Sequence, residues 1–228
     1  MEATPSRMFD VLRDCGALAR IVPELDRLFG VPQPPQHHPE IDTGIHVMAV
    51  IDHAAATAQP LAVRWACLLH DLGKGDTPAH ALPHHHGHEA KGADRARAVS
   101  ERLKAPLDCR DLAVLLAREH GILHRAAELR PATVVKLLER ADALRRPERF
   151  ERLLQAAACD FHGRPGIAER PYAQADIWRA ALAAIQSVDA GAIARACADK
   201  ADIARRVHAA RVDAVKNSAR YRTRPQPS

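Results

Sequence analysis

Apolar residues recur with helical spacing through most of this 228-residue chain, and no segment shows the two-residue alternation of a half-buried strand. The apolar residues are mostly alanine and leucine, and aromatic residues make up only 4% of the chain. This balance favours helices over strands. The sequence therefore predicts an all-α fold.

Proline and glycine residues divide the predicted helices. The stretch 31–40 contains four prolines and cannot be helical, because proline fixes the backbone and removes hydrogen-bond donors. Short helices are expected within 6–30, and longer ones over 42–58, 61–73, 88–104, 107–120, 131–145, 148–159, 173–186 and 189–219. We interpret 1–40 as N-terminal helices with a proline-rich connection, 41–165 as the core domain, and 166–228 as a C-terminal helical extension with a basic tail.

Composition excludes several classes of protein. Hydrophobic residues make up 47% and charged residues 27%, which is typical of a globular domain. No run of about 18 apolar residues is present and the start of the chain lacks a secretory signal, so we expect a cytoplasmic protein without a membrane partner. The five cysteines include no CxxC pair, which favours reduced, mostly buried thiols. The net charge of +5 permits a nucleic-acid partner without requiring one.

The segment LLHDLGK, residues 68–74, carries the central motif. His70 shares a helical stripe with Val63, Ala66 and Cys67 and is therefore expected to point inward. Asp71 follows it near the predicted end of the helix, where the helix dipole disfavours an anion. His46 supplies a further inward nitrogen from the preceding helix.

Asp142 is a second carboxylate in an unfavourable place. It is expected to share a helical stripe with Val135 and Leu138, so that it faces the core, where an unpaired carboxylate is costly. A divalent cation or a buried basic side chain would remove that cost. Taken singly, an inward histidine or aspartate is more often an ordinary hydrogen-bonded core residue. Together, two histidines and two aspartates form a nitrogen and oxygen shell suited to Mg, Mn, Fe, Ni or Zn.

The order of His46, His70-Asp71 and Asp142 resembles the HD superfamily of metal-dependent phosphohydrolases. The runs GVPQPPQHHPEIDTGIH, CLLHDLGKGDTP, HHHGHEAKGA and CDFHGR are similar to the C-terminal half of bacterial CCA-adding tRNA nucleotidyltransferases. The resemblance implies an HD-domain helical bundle with additional C-terminal helices. It also implies a divalent metal ion (Ni, Mg, Mn or similar) and 2′,3′-cyclic phosphodiesterase, 2′-nucleotidase and phosphatase activities.

The same resemblance implies partners. These are the tRNA 3′ end, nucleotide phosphoesters and a nucleotidyltransferase half in the full-length protein, and a second copy of the chain is a further candidate. The Gly-Gly loop and Asp-x-Asp site of that half have no counterpart in this sequence. We therefore expect no nucleotide addition by this chain alone.

Further residues are candidates for the same site. His88 and His120 are expected either to contact metal or substrate or to pack as ordinary polar groups. Lys74 and Arg164 are candidate phosphate contacts, with a solvated helix end and helix anchoring as their respective alternatives. Asp71, or a nearby histidine, is the candidate proton acceptor.

Two other functions remain open from the sequence. The chain is alternatively a tRNA-binding or dimerising module with a vestigial metal site, supported by the basic stretch from Arg205 to Arg224. A free-nucleotide phosphohydrolase of the HD type is the third interpretation. His84, His85 and His86 lie in a predicted loop, where a solvated surface is expected, and contact with phosphate or RNA is an alternative only for His85 and His86.

Overall fold

The structure is a computed structural model, and it describes residues 3–35, 40–167 and 169–218. Within these ranges it contains helices and turns, with a single isolated bridge between Pro32 and Asp42 and no strand. The prediction of an all-α fold is confirmed. The α-helices are α1 (Ser6–Asp14), α2 (Leu18–Ile21), α3 (Pro23–Asp26), α4 (Thr43–Ala56), α5 (Leu61–Leu69), α6 (His88–Arg102), α7 (Leu107–His124), α8 (Pro131–Arg140), α9 (Pro147–His162), α10 (Ala173–Gln186), α11 (Ala190–Ala196) and α12 (Ile203–Asn217).

The helix boundaries follow local sequence signals. Asp42 caps α4, with its Oδ1 accepting a hydrogen bond from the Ile45 amide at 3.0 Å. Pro60 precedes α5, as expected. The predicted loop at 75–87 overlaps two short 3-10 turns, Leu72–Asp76 and Ala79–Ala81.

Several predicted helices differ from the structure. The one expected over 61–73 ends at Leu69, and the one expected over 107–120 continues to His124. The helix expected over 131–145 ends at Arg140, and the one expected over 189–219 is α11 and α12 separated by a 3-10 turn, Lys200–Asp202. Arg220, Arg222 and Arg224 of the predicted basic tail lie outside the described residues.

The chain divides into two compact units that interleave along the sequence. The first comprises Met1–Gly121 with Glu151–Pro171, and the second Ile122–Phe150 with Tyr172–Ser228. The three consecutive segments of the sequence analysis stay a prediction.

Each unit has its own buried apolar interior. In the first unit, α4 packs against α5, and α6 packs against the turn Leu72–Asp76. In the second, the ring of Phe150 meets the fully buried Trp178 edge-on, and Trp178 donates a hydrogen bond to the Leu123 carbonyl at 3.0 Å.

All five cysteines are free, and Cys67, Cys109 and Cys159 are buried, as expected. None of the helices within the described ranges is long and apolar enough to cross a membrane.

Candidate metal centre

Six side chains of the first unit form two adjacent groups of metal-ligand atoms. Within each group the ligand atoms all lie within 4.8 Å of one another. One group comprises His46, His70 and Asp160, and the other comprises Asp71, His88 and His120. The sequence analysis named five of these six as candidate ligands and missed Asp160.

The first group is buried. His46 projects from α4 and Asp160 from α9, and His46 Nε2 lies 3.0 Å from Asp160 Oδ1. His70 follows the last residue of α5, and its Nε2 lies 3.7 Å from the same oxygen. Two imidazole nitrogens therefore lie close to one carboxylate oxygen in a buried site.

The second group lies around Asp71. His88, the first residue of α6, and His120, on α7, place their Nε2 atoms 4.0 and 3.5 Å from Asp71 Oδ1. The two Nε2 atoms are 3.2 Å apart. The groups adjoin, because His70 Nε2 lies 3.3 Å from Asp71 Oδ2.

Three of the four imidazoles are held by the same kind of contact at Nδ1, the ring nitrogen on the other side from Nε2. In His70, His88 and His120, Nδ1 lies 2.7, 2.7 and 3.1 Å from the carbonyl oxygen three residues earlier. A carbonyl oxygen only accepts, so Nδ1 carries the proton and donates. The lone pair of the neutral ring is then on Nε2, which faces the two carboxylates.

This arrangement suits a cation. The Nε2 atoms of His88 and His120 turn lone pairs toward each other, and Asp71 and Asp160 are buried anions. Among the described residues, His70 Nε2 and Asp71 Oδ1 have no hydrogen-bond partner. A divalent ion would satisfy these atoms and offset the charge, and imidazole with carboxylate is a usual donor set for such ions. The residues present therefore fit a metal centre.

The electrostatics of the metal-free site favour a proton where the ion would bind. Burial opposes charging of His70, but Asp71 and Asp160 outweigh it and raise the pKa of His70 to about 9. Burial lowers the pKa of His120 to about 3, so this ring is neutral. Burial would raise the pKa of Asp71, but the charges of Lys74 and His70 hold it well below its usual range.

Metal affinity is therefore expected to depend steeply on pH. A proton and a cation compete for His70 Nε2, so the dissociation constant for Mn²⁺ should rise about tenfold for each pH unit below 9. Calorimetric titration at pH 7, 8 and 9, in buffers of different ionisation enthalpy, measures both the affinity and the protons released. An affinity independent of pH, with no proton release, would contradict the competition.

The two predicted basic residues differ in position. Lys74 is buried and donates hydrogen bonds to Asp71 Oδ2 at 2.8 Å and to Gln33 Oε1 at 2.5 Å. Arg164 lies at the edge of the centre, with Nη2 3.7 Å from Asp160 Oδ1 and 18% of its side chain exposed. Of the two side chains, that of Arg164 is the more exposed.

The expectation that Asp142 faces the core from a helix is wrong. Since α8 ends at Arg140, Asp142 lies in the turn that follows and has a left-handed backbone (φ 53°). Its Oδ1 accepts a hydrogen bond from Arg145 Nε at 2.7 Å, and its Oδ2 lies 3.6 Å from Arg146. Asp142 belongs to neither group of ligand atoms, and its ligand role stays a prediction.

Asp160 shows a signal that could have identified it. It follows Leu153, Ala156 and Ala157 at seven, four and three residues, and all three are fully buried on α9. His70 follows Val63, Ala66 and Cys67 at the same three spacings. The sequence analysis noted Asp160 in the CDFHGR run and gave it no ligand role.

Comparison with known proteins defines the class. Residues 43–146 match the model of the HD domain, so this part of the chain is an HD domain. It is 83% identical over 216 residues to the "Multifunctional CCA protein" of Aromatoleum aromaticum, a match covering 95% of this chain and 53% of that protein. It is 68% identical over 228 residues to the "Multifunctional CCA protein" of Azoarcus sp. strain BH72, covering 100% and 55%. The resemblance inferred from the sequence motifs is confirmed.

The chain spans about half the length of the curated relatives that it matches. Five of the six grouped side chains fall within the HD match, and Asp160 lies beyond it. No solved structure was found to match the chain.

Proposed function

We propose that this centre hydrolyses phosphoesters with a divalent ion held by His46, His70, Asp71 and Asp160. The observation that carries the proposal is the convergence of imidazole Nε2 atoms on two buried carboxylates. His88 and His120 are in place to hold a second ion beside the first. When bound, a divalent ion supplies Lewis acidity toward a phosphoryl group and lowers the pKa of water.

The protein's own residues supply the remaining chemistry. Lys74 donates to Asp71 Oδ2, whereas Oδ1 is buried without a hydrogen-bond partner, and we assign to Asp71 the role of accepting a proton from the attacking water. Arg164, whose side chain is partly exposed beside Asp160, would offset charge on the phosphate. Lys74 is buried and donates to Asp71. We therefore assign to Lys74 the role of orienting Asp71, in preference to a direct contact with phosphate.

The proposed substrates are 2′,3′-cyclic phosphodiesters, 2′-nucleotides and other phosphomonoesters at or near the tRNA 3′ end. The chain would thus form the phosphohydrolase half of a CCA-adding tRNA nucleotidyltransferase. The relatives named for CCA, which are about twice as long as this chain, support the proposal. Nickel, magnesium and manganese are the ions to test first.

A phosphoester screen tests the proposal. The purified chain with Mg²⁺, Mn²⁺ or Ni²⁺ should hydrolyse 2′-AMP and 2′,3′-cyclic AMP, and Asp71→Asn should lower kcat/KM at least about 100-fold. Asp76→Asn is the matched control, since Asp76 belongs to the adjacent turn and its carboxylate is paired with Arg95. Turnover of neither nucleotide under any of these ions would contradict the proposal and favour a tRNA-binding module.

A further inference from the structure

We propose that residues 31–35 and 40–42 position the metal ligands from outside the segment that matches the HD domain. This stretch, which we call the connecting segment, precedes α4. Its contacts lead to ligands on three different elements: His46 on α4, Asp71 after α5, and His88 on α6. The inference rests on the metal centre of the proposed function.

The first contact orients His46. Glu40 Oε1 lies 2.8 Å from His46 Nδ1, and only 5% of the glutamate side chain is exposed. The buried Glu40 carboxylate therefore packs against the Nδ1 edge of the ring. On the other edge, Nε2 lies 3.0 Å from Asp160 Oδ1, and an ion bound between them would require the ring to carry its proton on Nδ1, toward Glu40. A carboxylate bound to the far nitrogen of a ligating histidine fixes its tautomer and ring orientation and raises its basicity.

The second contact orients Asp71 through Lys74. Gln33 is fully buried, and its Oε1 accepts a hydrogen bond from Lys74 Nζ. The same ammonium group donates to Asp71 Oδ2. The backbone amide of Gln33 donates to the Ile41 carbonyl at 2.7 Å, which fixes the backbone of Gln33. Lys74 is therefore held from two sides, and Asp71 Oδ1 is left directed at His88 and His120.

The third contact orients His88 through His85. The Pro32 carbonyl accepts a hydrogen bond from His85 Nε2 at 3.0 Å, so His85 Nδ1 accepts from Thr77 Oγ1 at 2.7 Å. Both ring nitrogens of His85 are thus occupied within the protein. Its backbone carbonyl then accepts the Nδ1 proton of His88. In this arrangement His85 positions a neighbouring ligand and does not bind the ion.

The connecting segment is itself tied to the helix that it precedes. Thr43 donates to the Val31 carbonyl through its amide at 3.0 Å and its hydroxyl at 2.9 Å. Asp42 Oδ2 accepts from the Gly30 amide at 2.5 Å. These bonds fix both ends of the segment, so that the side chains of Gln33 and Glu40 are presented in one arrangement.

Substitutions in the segment separate positioning of the ligands from general support of the fold. Glu40→Gln removes the charge at His46, and Gln33→Met removes the acceptor for Lys74 at similar volume. Glu24→Gln is the matched control, because Glu24 is another buried glutamate, on α3, whose partner is Arg102 at 2.7 Å. The probe is Co²⁺, with its dissociation constant measured against a competing chelator and its visible absorption recorded at full occupancy.

We expect Glu40→Gln and Gln33→Met each to raise the Co²⁺ dissociation constant about 10–100-fold and to alter the absorption bands. Glu24→Gln should lower the melting temperature and leave the dissociation constant within about twofold of wild type. If one of the two segment variants does not fold, the other carries the test.

The outcomes are distinguishable. Unchanged Co²⁺ affinity and spectra in the segment variants would overturn the positioning role and leave the hydrolase intact. Weakening of equal size in Glu24→Gln would likewise overturn it, since any loss of stability would then suffice. A wild-type protein that binds Co²⁺ but hydrolyses no phosphoester would overturn the hydrolase alone. A wild-type protein that binds no Co²⁺ would overturn both.

Discussion

Replacement of Asp160 by Asn should nearly abolish divalent metal binding, whereas Asp142→Asn should leave it unchanged. Asp160 Oδ1 lies between His46 Nε2 and His70 Nε2 in a buried site, so the substitution removes the anionic ligand that lies between these two nitrogens. The loss should exceed the roughly 10–100-fold that an outer contact costs. Calorimetric titration with Mn²⁺ and elemental analysis of the purified variants measure the effect.

Asp142→Asn is a control with the same chemical change. Its carboxylate is paired with Arg145 and Arg146, and the hydrogen bond of Arg145 lowers the pKa of Asp142. Arg145 is 84% exposed, so losing this pair should have little effect on stability. The reverse result, with binding lost in Asp142→Asn and kept in Asp160→Asn, would restore the ligand set predicted from sequence.

Gly73→Ala should destabilise the fold by about 3 kcal/mol or more and weaken metal binding. A Cβ on Gly73 would overlap the His88 carbonyl oxygen and come within 2.6 Å of the Gly92 amide nitrogen. Both are backbone atoms of α6 and cannot turn away as a side chain can. Helix α6 would have to move as a whole and would carry His88 with it. Urea unfolding gives the stability, and Mn²⁺ titration gives the affinity.

Gly121→Ala is the companion variant. Its new Cβ would meet only the end of the flexible Glu89 side chain, at 3.2 Å, and the position is inside α7, where alanine is preferred to glycine. We expect its stability to stay within about 1 kcal/mol of wild type. Equal losses in both variants would show that the close approach of Gly73 to α6 is not the cause.

Much of the fold was accessible to sequence reasoning because its signals are local. The cap at Asp42 and the proline before α5 define two helices on their own. Inward stripes on those helices then identified His46 and His70, and both residues are fully or almost fully buried. Local periodicity was sufficient wherever the helix continued as far as the residue in question.

Asp142 shows where that reasoning fails. Both Asp142 and Asp160 follow apolar residues at four and seven positions, so periodicity treats them alike. The difference is that α9 continues through Asp160, whereas α8 ends two residues before Asp142. No proline or glycine marks that end. The contacts of Gln33 with Lys74 and of Pro32 with His85 were missed for a different reason, because they join residues 41 and 53 positions apart. Glu40 contacts His46 from the proline-rich stretch before α4, where no helical periodicity applies.

The position of Asp160 and the connecting segment has a practical consequence for dissecting proteins of this kind. A fragment cut at the bounds of the HD match, 43–146, would retain five of the six grouped side chains. It would lack Asp160 and the three contacts supplied by Pro32, Gln33 and Glu40. Such a fragment would carry the signature motif yet score as inactive in a screen, and its inactivity would reflect where it was cut.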